Sequence, residues 1–168
     1  MEAAKREKCI KRSIPQAKRS GFLALLPGSL PNSINCRLQI SSLNDQPSYT
    51  TISYVWGLTQ IQREIVINGA VVTVNENVYD MLVGLRDPWN EQIIWIDALC
   101  INQEDAIENS HQVSIMGTIY SNALRTLIWL GPSSEDSDLA MDLVAKADLG
   151  DFELPLILAS KERHWKAL

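Results

Sequence analysis

Between positions 97 and 111 the chain collects Asp97, Cys100, Asn102, Gln103, Glu104, Asp105, Glu108 and His111. Carboxylates can stabilise a cationic centre or move a proton, and amides can read a polar ligand. Each residue also has a structural reading. An ionised Asp97 inside the apolar run "IIWIDALCI" is costly to bury alone, so it either caps the following turn or lines a pocket. Asn102 and Gln103 divide in the same way, between satisfying loop backbone and contacting a ligand. Glu108 falls in the first turn of a helical pattern, where the helix dipole accounts for an acid as readily as catalysis does. Cys100 and His111 could be drawn as a nucleophile pair, but Cys100 stands between Leu99 and Ile101 and fits a small buried core residue. Trp56 and Trp95 read first as packing, with stacking on a base or nicotinamide ring the sharper reading for Trp56.

Several chemistries are not supported. The chain has no G-x-G-x-x-G, no G-x-x-x-x-G-K-[ST] and no H-E-x-x-H. Three widely spaced cysteines and two histidines suggest neither a disulfide framework nor a metal site, and a reducing, cytoplasmic setting is expected. Residues 1–20 hold seven Lys/Arg and two Glu, whereas the remainder holds eight Lys/Arg and eighteen Asp/Glu. A mobile basic arm, 1–20, thus precedes an acidic body, 21–168, that repels phosphate backbones. Binding by the short arm is the sharper reading beside plain solvation, but nucleic acid is not the expected partner. The arm lacks the apolar stretch of a secretory signal, and no run approaches the ~20 apolar residues of a membrane span. At 168 residues and 46% hydrophobic content, the chain is long and apolar enough for one core.

The elements that must carry the polar cluster can be read locally. Ile34, Cys36, Leu38 and Ile40 alternate as in an entry hairpin or edge strand, and "YTTISYVWG" reads as a central strand ending at Gly57. In "REIVINGAVVTV", Asn68-Gly69 between β-branched runs predicts a hairpin with a type I′ turn. Val78, Met81, Leu82 and Leu85 share one helix face, with Asn75 or Asn77 as N-cap. "QIIWIDALCI" reads as a strand covered on both faces, and a helix over 106–123 follows with Val113, Met116, Tyr120 and Ala123 inward. "LRTLIWLG" is a further buried strand, and "SEDSDLAMDLVAKA" opens with helix-capping residues. Alternating strands and helices predict an α/β fold with a mainly parallel sheet, helices around it and an added β-hairpin. Ligands then sit beyond strand carboxyl ends, here the exits after Trp56-Gly57, Asp97 and Gly131.

The order of the blocks "YTTISYVWG", "IVINGAVVTVNENVYDMLVGLR" and "IIWIDALCINQEDAIENSHQVSIMGTIYSNALRTLIWLG" closely resembles the fungal heterokaryon-incompatibility (HET) domain. The resemblance covers roughly residues 22–145, and WIDALCINQ with the spaced Q-V and I-Y is its most specific part. Asn109 stands where the family usually has Arg. The resemblance implies a part in non-self recognition and programmed cell death. It also implies a TIR-like, flavodoxin-like sheet, in a family related to enzymes that cleave NAD to nicotinamide and ADP-ribose. NAD would then be a substrate, with no cofactor required. Cleavage passes through an oxocarbenium-like ribosyl centre that a carboxylate stabilises. On this reading Ser53, Tyr54, Trp56, Gly57, Asp97, Asn102 and Gln103 face the nucleotide, and Glu108 is the internal candidate for the catalytic carboxylate. Family members usually continue into an R-P-W…Q-E block after a segment like "ERHWKAL". The expectation is therefore a domain truncated at its C-terminal end, acting as a non-catalytic or weakly active interaction module. Its expected partners are other HET or TIR-like domains, incompatibility proteins or a second copy of itself.

Overall fold

The computed structural model describes residues 18–56 and 60–132, together with the backbone of 157–160. Among these residues, eight strands form one sheet: β1 Arg19–Leu25, β2 Asn35–Ser42, β3 Thr50–Tyr54, β4 Gln62–Ile67, β5 Ala70–Asn75, β6 Gln92–Trp95, β7 Arg125–Pro132 and β8 Ile157–Ser160. The helices are α1 Glu76–Leu85, a single turn α2 Asp97–Cys100, and α3 Ala106–Ser121, with a short 3-10 turn at Leu43–Asp45. Strand order is β5-β4-β2-β1-β6-β3-β7-β8. The basic arm 1–17 and the capping segment "SEDSDLAMDLVAKA" lie outside the described residues, while Arg19 and Ser20, assigned to the arm from sequence, belong to β1.

The sheet is mixed rather than mainly parallel. Strands β6, β3, β7 and β8 run parallel, as do β2 and β4, but β1 is antiparallel to both its neighbours. The cause is "FLALL": Phe22 to Leu25 are all buried, and a strand with both faces apolar belongs inside a sheet. It pairs with β2 as a hairpin, which places β2 between β1 and β4 and not at an edge. The Asn68-Gly69 turn forms as expected, with φ of 51° and 80° at its two central residues, and β5 becomes the outer strand beside β4.

The helices cover opposite faces. Side chains alternate across a strand, and in-register residues of neighbouring strands share a face. Tyr54 pairs in register with Trp129, whose Nε1 donates to Asn77 Oδ1 of α1 at 2.8 Å. Thr51 pairs with Trp95, which meets Tyr120 of α3 edge-on at 5.7 Å, and Tyr49 donates its hydroxyl to the Ile119 carbonyl of α3 at 2.6 Å. Trp95 and Trp129 are the largest fully buried side chains among the described residues, one beneath each helix.

α1 begins as expected at Asn75, whose side chain accepts the Val78 N–H at 2.8 Å, and it buries Val78, Met81 and Leu82. The apolar run "QIIWIDALCI" is not one strand. β6 stops at Trp95, and the chain turns helically at Asp97, with Cys100 N–H donating to Ile96 O at 2.8 Å and Ile101 N–H to Asp97 O at 3.2 Å. A short apolar run cannot distinguish a buried strand from a buried helical turn. The inward face of α3 also differs: Gln112 and Ile119 are fully buried, while Val113 is 57% exposed.

Candidate functional site

Strands β3 and β6 are parallel neighbours whose last paired residues are Thr51 and Trp95, so Ser53 and Asp97 each lie two residues beyond the same rung. The fold thus brings the two expected strand exits together. Ser53 is exposed, on the α3 side of the sheet, and Tyr54 points to the α1 side. Trp56 is 54% exposed and stacks on Tyr54 with ring centres 6.3 Å apart and planes 12° off parallel. Gly57 lies outside the described residues.

The exit after β3 is held by two amides for which the sequence suggested only a capping role. Asn75 Nδ2 donates to the Trp56 carbonyl at 3.2 Å, and Asn77 Nδ2 donates to the Val55 carbonyl while its Oδ1 accepts from Trp129. One helix needs one N-cap. The second asparagine of N-E-N was the available signal that another backbone segment was being held.

The polar loop from Asp97 to Glu108 is closed on itself. Asp97 Oδ1 accepts the Ala98 N–H at 2.7 Å, and its backbone carbonyl accepts from Gln103 Nε2 at 3.0 Å. Gln103 Oε1 in turn accepts from Asn109 Nδ2 at 3.3 Å, so Asn109 serves to close the loop. Asn102 Oδ1 accepts the Glu104 N–H at 3.2 Å, and the Asn102 N–H donates to Glu108 Oε1 at 3.0 Å. Asp105 is the N-cap of α3, accepting from Ile107 N–H at 2.9 Å and Glu108 N–H at 3.1 Å. Asp105→Ala therefore costs about 1 kcal/mol of stability, measured as a lower urea midpoint with unchanged slope.

Partial burial raises the Glu108 carboxyl above its ordinary range, opposed by the Asn102 N–H and helped by the negative charge of Asp105. A carboxyl with a raised folded-state pKa binds its proton more tightly in the folded protein. Its stabilisation is complete below the ordinary Glu range and is lost as pH rises through the displaced value. Glu108→Gln retains an oxygen to accept the Asn102 N–H and removes the charge. The difference in unfolding free energy between the variant and the parent should therefore grow in the variant's favour across that rise, then level off. Urea melts at a series of pH values measure this. A difference independent of pH would contradict the assignment.

Cys100 is buried beneath this loop, and burial pushes its thiol up to about 12, so it is a packing residue and no thiolate nucleophile forms at neutral pH. Among the described residues, no three His, Cys, Asp or Glu side chains converge as a metal site, and no helix is long and apolar enough to cross a membrane. A surface depression of about 450 Å³, lined by residues that include Thr50, Gln92 and Arg125, lies at the opposite, amino ends of β3, β6 and β7.

The family model for the heterokaryon incompatibility protein (HET) matches residues 49–166, from the residue before β3 to beyond β8. The chain belongs to the HET family. Over 159 residues the domain is 33% identical to heterokaryon incompatibility protein 6, OR allele, of Neurospora crassa, an alignment that takes in 86% of this chain and 23% of that protein. The HET chain thus spans about a quarter of the length of that relative. No solved structure matches it. The matched region contains both strand exits, their asparagine clamps and the closed loop of the HET domain.

Proposed function

We propose that this HET domain acts in heterokaryon incompatibility as an association module, promoting programmed cell death through contacts with other incompatibility domains. The observation that carries this reading is the closed loop. Asp97, Asn102, Gln103, Asp105 and Glu108 use their polar atoms on one another and on local backbone, an arrangement that holds a surface rigid without a ligand. Kinship to the 33% identical Neurospora protein supports the biological setting. The decisive experiment forces heterokaryons between a strain expressing the chain and strains differing at incompatibility loci. Restricted growth dependent on the chain is expected, and growth equal to a strain lacking it would refute the reading.

A second reading, NAD glycohydrolase activity on a TIR-like sheet, is favoured by the half-exposed Trp56 stacked on Tyr54 at the same sheet end as the Asp97 exit, with Ser53 on the opposite face of that strand. The parallel run β6-β3-β7-β8 with α1 and α3 on opposite faces supports that kinship. Glu108 is then the candidate carboxylate, half-buried and raised in pKa. Incubating the purified chain with NAD separates the two. Nicotinamide release that Glu108→Gln abolishes would establish the enzyme, and no release from a chain that restricts heterokaryon growth leaves association as the activity.

A further inference from the structure

The Asp97 loop spends its polar side chains on itself. The other end of the same strands does the reverse. Thr50 of β3 pairs in register with Ile94 of β6 on one side and with Arg125 of β7 on the other, so these side chains share the α1 face of the sheet. Gln92, two residues before Ile94, lies on that face too. Three consecutive strands thus set a hydroxyl, a carboxamide and a guanidinium within about 10 Å, lining the depression of about 450 Å³ at the amino ends of β3, β6 and β7. Among the described residues none of these three groups bonds to another part of the chain, and neither does the Ser48 hydroxyl beside them.

Charge makes the arrangement selective. Arg37 bonds Glu91 at 2.7 Å, Arg63 bonds Glu76 at 2.8 Å, and Arg86 donates to the carbonyls of Leu26, Pro27 and Asn32. The Arg125 side chain has no such partner among the described residues, although residues 21–168 hold eighteen acids against eight bases. Glu91, the acid lining the depression, is already neutralised by Arg37, so the charge of Arg125 is left uncompensated there. The backbone around Arg125 is pinned on both sides. The Leu124 N–H donates to the Tyr49 carbonyl at 2.9 Å, and Thr51 Oγ1 donates to the Arg125 carbonyl at 3.4 Å. A binding group rooted in a fixed backbone loses less freedom on capturing a ligand.

The groups define a ligand class. A guanidinium fork matches the two oxygens of a carboxylate, and the Gln92 amide and the Thr50 hydroxyl can donate to its remaining lone pairs. A phosphate monoester brings nearly two negative charges against the single charge of Arg125, on a chain of net charge -5. A carboxylate brings one. Ile93 and the 74% exposed Leu124 offer an apolar wall to the rest of the molecule, and the volume falls within the range of small-ligand pockets. The geometry points to a binding site for a small organic monocarboxylate, anchored by Arg125. It lies at the sheet end away from the Asp97 loop and depends on neither association nor NAD cleavage.

The test is a nuclear magnetic resonance titration of the ¹⁵N-labelled 168-residue chain at constant ionic strength. The probes are 4-methylpentanoate, its neutral amide 4-methylpentanamide, acetate and inorganic phosphate. With 4-methylpentanoate the amide signals of Thr50, Gln92 and Arg125 should shift saturably, with a dissociation constant of about 1 mM. Acetate should bind several-fold more weakly for want of the apolar body, and the amide should not saturate. Arg125→Gln should weaken binding about tenfold or more at an unchanged melting temperature, because the exposed side chain holds nothing in the fold. Arg125→Lys should recover only part of the loss, since an ammonium keeps the charge without the fork. No saturable shift at these residues overturns the site, as does binding insensitive to Arg125→Gln or equal binding of the neutral amide. Phosphate binding as tight as 4-methylpentanoate would reduce the site to a non-selective anion contact and overturn the carboxylate assignment.

Discussion

Gln112→Ala lowers the melting temperature of the domain by roughly 10 °C, corresponding to about 3 kcal/mol in a chain of this size. Gln112 is fully buried in α3, and its amide ties the helix to β1 and, through Ser20, to Trp95 of β6. Its Nε2 donates to the Arg19 carbonyl at 2.9 Å, and its Oε1 accepts from Ser20 Oγ at 2.9 Å. The same Ser20 oxygen accepts from Trp95 Nε1 at 2.9 Å, and Ser20 and Trp95 are themselves fully buried. Truncating Gln112 removes the acceptor of the buried Ser20 hydroxyl and the donor to the part-buried Arg19 carbonyl, at about 1–3 kcal/mol for the lost bonds, and opens a cavity beneath α3. Ser20→Ala strands the Trp95 N–H and the Gln112 oxygen instead. Because both substitutions break one network, the double variant should lose clearly less than the sum of the single losses. Urea denaturation of the three variants checks this. Additive losses would mean that the chain of bonds does not act as a unit.

The network also shows what a linear reading of α3 missed. Periodicity counts apolar residues, so Val113, Met116, Tyr120 and Ala123 define the expected inward face. A buried glutamine carries no weight in that count although it anchors the helix, and the true face is rotated towards Gln112 and Ile119. Sequence blocks that resemble the HET family include Gln112, but the resemblance gave the residue no role. Features set by neighbours in sequence were legible: the positive φ values at Asn68 and Gly69, the Asn75 cap, and the span of α3 to within two residues. Features set by distant pairing were not. Nothing local to "FLALL" states that it enters the sheet between β2 and β6 and runs against both. The site divides along the same line. That Ser53, Trp56 and Asp97 share one end of the sheet followed from strand order in an α/β fold. That Asn77 holds the Val55 carbonyl, or that Asn109 closes on Gln103, depends on contacts made only once the strands are assembled.

Gly21→Ala should be as damaging as the loss of Gln112, for a steric reason that can be tested against another glycine of the same chain. Gly21 is buried in β1 on the face opposite Ser20, and a Cβ there would lie 2.6 Å from the Cys100 carbonyl oxygen and 3.4 Å from Leu38 Cδ1. The obstructing atom is backbone, in the turn that follows Asp97, so no side-chain rotation relieves the contact. Either β1 shifts in the centre of the sheet or α2 moves outward, and overpacking of this kind costs about 3 kcal/mol. Gly117→Ala adds the same methyl group where nothing lies within 4 Å and should stabilise the domain. If the methyl group displaces α2, Cys100 loses the cover that pushes its thiol up to about 12. The variant should then react with a thiol reagent faster than the parent under conditions where both remain folded. Equal melting temperatures and equal labelling rates for Gly21→Ala and the parent would show that β1 and the Asp97 turn do not pack this closely. A small loss of melting temperature with rapid labelling would place the movement in α2, and with it the loop that carries Asn102, Gln103 and Glu108.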